Sequence, residues 1–130
     1  MDNNVLQSIF DRLQPILPER WEKMILYVAY TGGSYSMKFY TSDETGDFTD
    51  CFNQTGISKM QLIKLFMEIN KILEPERKSL DDKNRWSVMT MIVETEGNVK
   101  VEFEYTDISE NTIEYENEWK EKYLHNYFDA

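Results

Sequence analysis

The apolar residues of this chain recur with two different periods, and the points where the period changes limit the folds open to it. Val5, Leu6, Ile9, Phe10, Leu13, Ile16 and Leu17 fall at helical spacing, with Asp11, Arg12 and Gln14 between them. That pattern predicts an amphipathic helix to about Leu17, ended by Pro18. From Trp21 the spacing changes: Met24 to Tyr30 is a β-rich run, and Tyr35, Met37 and Phe39 alternate with Ser36 and Lys38. The two stretches flank Thr31-Gly32-Gly33-Ser34, which reads as a hairpin with a glycine turn.

Ser42 to Asp47 is a polar turn, and Phe48 to Phe52 reads as a short third strand completing a meander. Helical spacing then returns. Ser58 and Gln61 form a capping box, Ile57 and Leu62 flank it as a hydrophobic staple, and Leu62, Leu65, Phe66, Ile69, Ile72 and Leu73 form the buried stripe. Glu74-Pro75 is expected to stop this helix, leaving Glu76 to Arg85 as an exposed, aperiodic connection.

Trp86 to Thr95 and Val99 to Asp107 flank Glu96-Gly97-Asn98. A two-residue loop would set Glu94 opposite Val101 on the core side. A three-residue loop pairs Met89, Met91 and Val93 with Tyr105, Phe103 and Val101, with Asn98 taking the left-handed position. On that register Glu102 and Glu104 share the opposite face and Glu94 meets Lys100, so the outer face of the hairpin is expected to be acidic. Ser109 is placed to cap a last helix, on which Tyr115, Trp119, Tyr123 and Tyr127 recur every fourth residue. Glu116 with Lys120 and Glu118 with Lys122 are favourable pairs, which leaves Glu114 and Glu121 unpaired. The resulting order is αβββαββα: an α+β fold with an antiparallel sheet of about five strands and helices packed on it, in one domain over residues 1–130.

The formal charge of −10 is unevenly placed. Residues 1–93 hold 11 Lys and Arg against 13 Asp and Glu, whereas residues 94–130 hold 3 against 11. Such a bias opposes direct nucleic-acid binding, which draws most of its affinity from lysine and arginine on phosphates. It suits a basic protein partner, or solubility alone. No stretch resembles a secretory signal or a membrane span, and Cys51 is the only cysteine, so a cytoplasmic protein without disulfides is expected.

Residues able to carry chemistry are few. His125 is the only histidine, too little with Cys51 for a Cys/His metal centre. Asp43, Asp47 and Asp50 fail as a calcium loop, because Phe48 and Gln54 stand where that loop requires glycine and glutamate. Gly32-Gly33 lacks the Lys-Ser/Thr of a phosphate loop. Glu94, Lys100 and Glu102 could be taken for a metal-dependent hydrolase core, but no basic groove surrounds them to receive a phosphate chain. No cofactor, metal or catalytic residue is expected.

Leu17-Pro18, Trp21-Glu22-Lys23, Leu26-Tyr27-Val28, Gly33-Ser34 and Phe39-Tyr40 form an ordered series. It resumes at Trp86, is densest in Glu96 to Tyr105 with Asp107, and ends in Trp119 and Lys122-Tyr123-Leu124. In order and spacing it resembles the YezG-like family of bacterial immunity proteins over nearly the whole chain. The resemblance implies an antitoxin that binds and neutralises a nuclease toxin exported by the type VII secretion system, with no enzymatic role. Register and helical-face arguments, not the resemblance, supply the toxin-binding candidates Glu94, Glu102, Glu104, Asp107, Glu114 and Glu121. Two other readings stand beside it: an acidic adaptor for a non-nuclease partner, and the hydrolase above. A monomer is expected.

Overall fold

The computed structural model describes residues 1–124, so His125 and Tyr127 lie outside the described part. A five-stranded antiparallel sheet carries helices on both faces. In chain order the elements are α1 (Asn3–Leu13), β1 (Lys23–Thr31), β2 (Ser34–Ser42), β3 (Phe48–Asp50), α2 (Lys59–Lys78), β4 (Val88–Glu94), β5 (Val99–Glu104) and α3 (Thr112–Tyr123). The strands lie in the order β3-β2-β1-β4-β5. The expected α+β order and the antiparallel sheet are both found.

β1 is the centre of the molecule, and its six consecutive buried residues follow from having helices on both sides. Met24, Leu26 and Val28 join a core with Ile9 and Leu13 of α1 and Leu62, Leu65, Phe66, Ile69 and Leu73 of α2. Ile25, Tyr27 and Ala29 point the other way, into a second core with Val88, Ile108 and Trp119. Successive strand residues face opposite sides of a sheet, so a run apolar at every position marks a strand covered on both. At the β1–β2 turn Gly32 and Gly33 have φ of +50° and +88°, the left-handed conformations that a two-residue hairpin loop requires.

Local chemistry sets the helix ends. The Asp2 carboxylate accepts the Asn4 N–H at 2.7 Å to start α1, and the capping box of α2 is complete: Ser58 Oγ accepts the Gln61 N–H at 3.1 Å and Gln61 Oε1 accepts the Ser58 N–H at 2.8 Å. Two expectations at the other ends are corrected. Pro75 lies inside α2, which runs on to Lys78, because the final turn is anchored from outside. Arg77 Nε donates to the Trp86 carbonyl at 2.6 Å, and its guanidinium lies 4.9 Å from the Tyr30 ring centroid. The 79–85 connection is in turn tied down by Arg85, which donates to the Leu80 carbonyl at 2.6 Å. Ser109 does not cap α3; it bonds to Asp107, and the helix begins after Asn111.

The last hairpin keeps a three-residue loop, but the loop is Thr95-Glu96-Gly97. Met89 pairs with Phe103, Met91 with Val101 and Val93 with Val99. Gly97 at φ +106° takes the positive-φ position expected of Asn98, since a residue without Cβ adopts it at least cost. The pairing differs from expectation by two positions, so every side chain keeps its assigned face, while Glu94 stands opposite Asn98 and Lys100 opposite Ile92. The face carrying Glu102 and Glu104 is not bare, because α3 packs against it.

Candidate functional site

α3 is fixed to the sheet by its aromatic stripe. Trp119 is buried, its ring 4.9 Å from that of Tyr27 and 5.6 Å from that of Tyr40, and its Nε1 donates to Thr90 Oγ1 at 2.8 Å. Tyr115 and Tyr123 pack half-buried beside it. Tyr115 and Trp119 together with Glu102 and Glu104 of β5 line a cleft of about 250 Å³. Glu118 closes the helix side of this cleft and Lys122 stands at its end.

Glu104 and Glu118 both act on Tyr115. Burial, then Glu104, Tyr123 and Glu118, push the Tyr115 hydroxyl up to about 12, so it remains a neutral donor at neutral pH. Lys100 approaches Glu102 at 3.4 Å, and Glu104 accepts the Tyr105 N–H at 3.0 Å. Glu116 lies on another side of the helix, 3.6 Å from Lys38 of β2.

The six expected residues therefore fall in three places. Glu102 and Glu104 face one cleft, and exposed Glu114 and Glu121 extend it along α3, four residues before and three after Glu118. Glu94, at the far end of β4 from Val88, also borders a different cleft, of about 510 Å³, whose lining includes Leu6, Phe10, Trp21 and Val99. Asp107 closes a turn, its Oδ1 accepting the Ser109 N–H at 3.0 Å and the hydroxyl at 2.5 Å. Those bonds hold its carboxyl below the usual range. Spacing alone pairs Glu118 with Lys122, but Lys122 Nζ sits 5.1 Å from the Tyr123 ring centroid and Glu118 lines the cleft.

The arrangement brings carboxylates and aromatic edges together on one surface. Glu102 is paired with Thr90, four positions from Glu94 along β4, a separation of about 13 Å at strand rise, so the two glutamates of the hydrolase reading are not brought together. Among the described residues no group of three or more His, Cys, Asp or Glu is placed to hold a metal ion. Burial pushes the Cys51 thiol up to about 12, the reverse of an activated nucleophile. Asp43 accepts the Thr45 N–H at 2.9 Å and Asp50 the Phe52 N–H at 2.9 Å, as turn caps. Among the described residues no helix is long and apolar enough to cross a membrane.

A second exposed feature lies on the far side of the sheet, where Met60, Ile63 and Met67 of α2 stand out and exposed Phe52 packs 6.3 Å from the Phe66 ring. A family model described as immunity protein YezG-like matches residues 3–129. No curated protein matches the chain.

Proposed function

Since the chain belongs to the YezG-like immunity protein family, we propose that it neutralises a cognate nuclease toxin exported by the type VII secretion system, acting in the cytoplasm of the producing cell and its siblings. The observation that carries this reading is the acidic cleft between β5 and α3. Glu102, Glu104 and Glu118 converge there and Glu114 and Glu121 continue the same sign outward, in a chain of net charge −10. A nuclease holds phosphates with lysine and arginine, so a carboxylate-rich surface complements its active site in sign and speeds encounter. Tyr115 and Tyr123 supply the apolar area that such contacts need to hold once formed. The work is binding, and it needs no cofactor.

Within the group of candidates, Glu102, Glu104, Glu114 and Glu121 belong to this surface with Glu118, while Glu94 and Asp107 lie outside it. The test is to co-express the chain with the toxin encoded beside it, and to assay nuclease activity as the purified chain is added. Activity falling to background at one equivalent supports the reading. Activity undiminished in a stoichiometric complex, or no complex at all, ends it.

A further inference from the structure

β5 is the edge of the sheet, and its backbone is prepared for one more strand. The hydrogen-bond ladder fixes which groups point outward. Along β4 the odd positions bond toward β1: the Tyr30 N–H donates to the Ser87 carbonyl at 2.9 Å and the Thr95 N–H to the Glu22 carbonyl at 3.0 Å, the one departure being the Ser87 N–H, which turns to the Glu104 carbonyl of β5 at 2.7 Å. The even residues bond toward β5, as where the Glu94 N–H donates to the Asn98 carbonyl at 2.9 Å. Antiparallel pairs alternate in this way, so Asn98, Lys100, Glu102 and Glu104 face β4. Val99, Val101 and Phe103 turn their N–H and C=O groups out. Among the described residues no strand pairs with them.

The two sides of that edge differ in chemistry. On the α1 side Val99 opens onto the cleft containing Leu6, Phe10 and Trp21. On the α3 side Glu102 and Glu104 open onto the cleft closed by Glu118. A strand added here would place alternate side chains over a cleft that holds Leu6, Phe10 and Trp21 among polar neighbours and over a carboxylate cleft.

We propose that β5 captures an extended segment of the toxin as a sixth strand, with apolar residues of that segment alternating with lysine or arginine. This rests on the toxin-binding reading and specifies its mode. A second copy of the chain would bring another Glu102 and Glu104 to the same edge, leaving the carboxylate side poorly matched, whereas a basic segment satisfies both sides.

The test is residue-resolved amide exchange by NMR on the 15.6 kDa chain, free and bound to toxin purified from co-expression. In the free chain the amides of Val99, Val101 and Phe103 exchange fast while those of Lys100 and Glu102 are protected; on binding, the three odd amides become protected. Val101→Pro removes only an outward N–H, which an edge strand tolerates, and weakens toxin binding by roughly ten- to hundredfold. Val101→Ala, which keeps the N–H, binds nearly as the parent, and a melting curve reports whether either variant folds. Neutralisation by the parent chain without new protection at the odd amides overturns the inference and leaves the toxin-binding reading intact. Protection of the same amides in the free chain, rising with concentration and with a dimer mass, assigns the edge to a second copy and also overturns it. Failure of the parent chain to bind the toxin at all removes both.

Discussion

Trp119 on α3 and Thr90 on β4 are joined by a 2.8 Å hydrogen bond in a place closed to solvent, and this contact sets the floor of the acidic cleft. Thr90→Val keeps the volume and leaves the indole N–H without an acceptor. The expected cost is about 1–3 kcal/mol, read as a lower urea midpoint at unchanged slope.

Arg77 contributes what the end of α2 lacks. Its Nε bond to the Trp86 carbonyl and its position over Tyr30 hold a turn that Pro75 weakens. Arg77→Lys keeps the charge but loses the planar stack and the directed Nε donor. A loss of about 1–3 kcal/mol is expected, against a change within about 0.5 kcal/mol for the exposed Lys83→Ala, both measured by chemical unfolding.

Gly97 and Asn98 test which residue makes the last turn. Gly97 has φ +106° with open space where a Cβ would stand, so Gly97→Ala is opposed by backbone strain alone, about 1–2 kcal/mol. Asn98→Ala changes stability by about 0.5 kcal/mol or less. Equal effects on the thermal midpoint would contradict the turn described.

The raised thiol of Cys51 gives a pH prediction. Burial favours the neutral form and lifts the folded value to about 12, above the unfolded value near ~8.5. The contribution to stability is complete below the unfolded value and is lost as pH rises through the interval up to about 12. At pH 8 the folded thiolate fraction is roughly one in ten thousand by the same value, so alkylation with iodoacetamide should follow global unfolding. Rapid labelling of the folded chain would contradict the burial.

Steering by the acidic cleft predicts a salt-dependent on-rate for the toxin. Screening shortens from ~10 Å at 0.1 M to ~3 Å at 1 M salt, so association of the parent chain slows across that range. The triple change Glu102→Gln, Glu104→Gln and Glu118→Gln lowers the low-salt rate and flattens its dependence. Stopped-flow association across a salt series checks both.

Periodicity and capping made much of this legible in the sequence. Ser58 with Gln61 marked the start of α2 by a local mechanism, and the every-fourth-residue spacing of Tyr115, Trp119 and Tyr123 marked the buried side of α3. What failed depended on residues distant in the chain. Pro75 is a local stop signal, overridden by Trp86 and Tyr30 holding Arg77 from across the core. Gly97 and Asn98 both accept positive φ, and choosing between them moved the hairpin pairing by two positions without changing any residue's face. The apolar run from Met24 to Tyr30 fitted a strand, but that helices cover both its faces depends on where α3 returns. That return turns the expected outer face of the hairpin into one wall of a cleft, and it adds Glu118 to the acidic surface.

The central position of β1 has a consequence for how the molecule is made. Its partner in the β1–β2 hairpin follows at once in the chain, but Met24 meets Val93 only after the whole of α2 has been synthesised. Pairings so distant in sequence form slowly, and until β4 arrives one edge of an apolar strand is open to other chains. The newly made chain is thus open to edge-to-edge association until residues 88–94 have been synthesised and close β1.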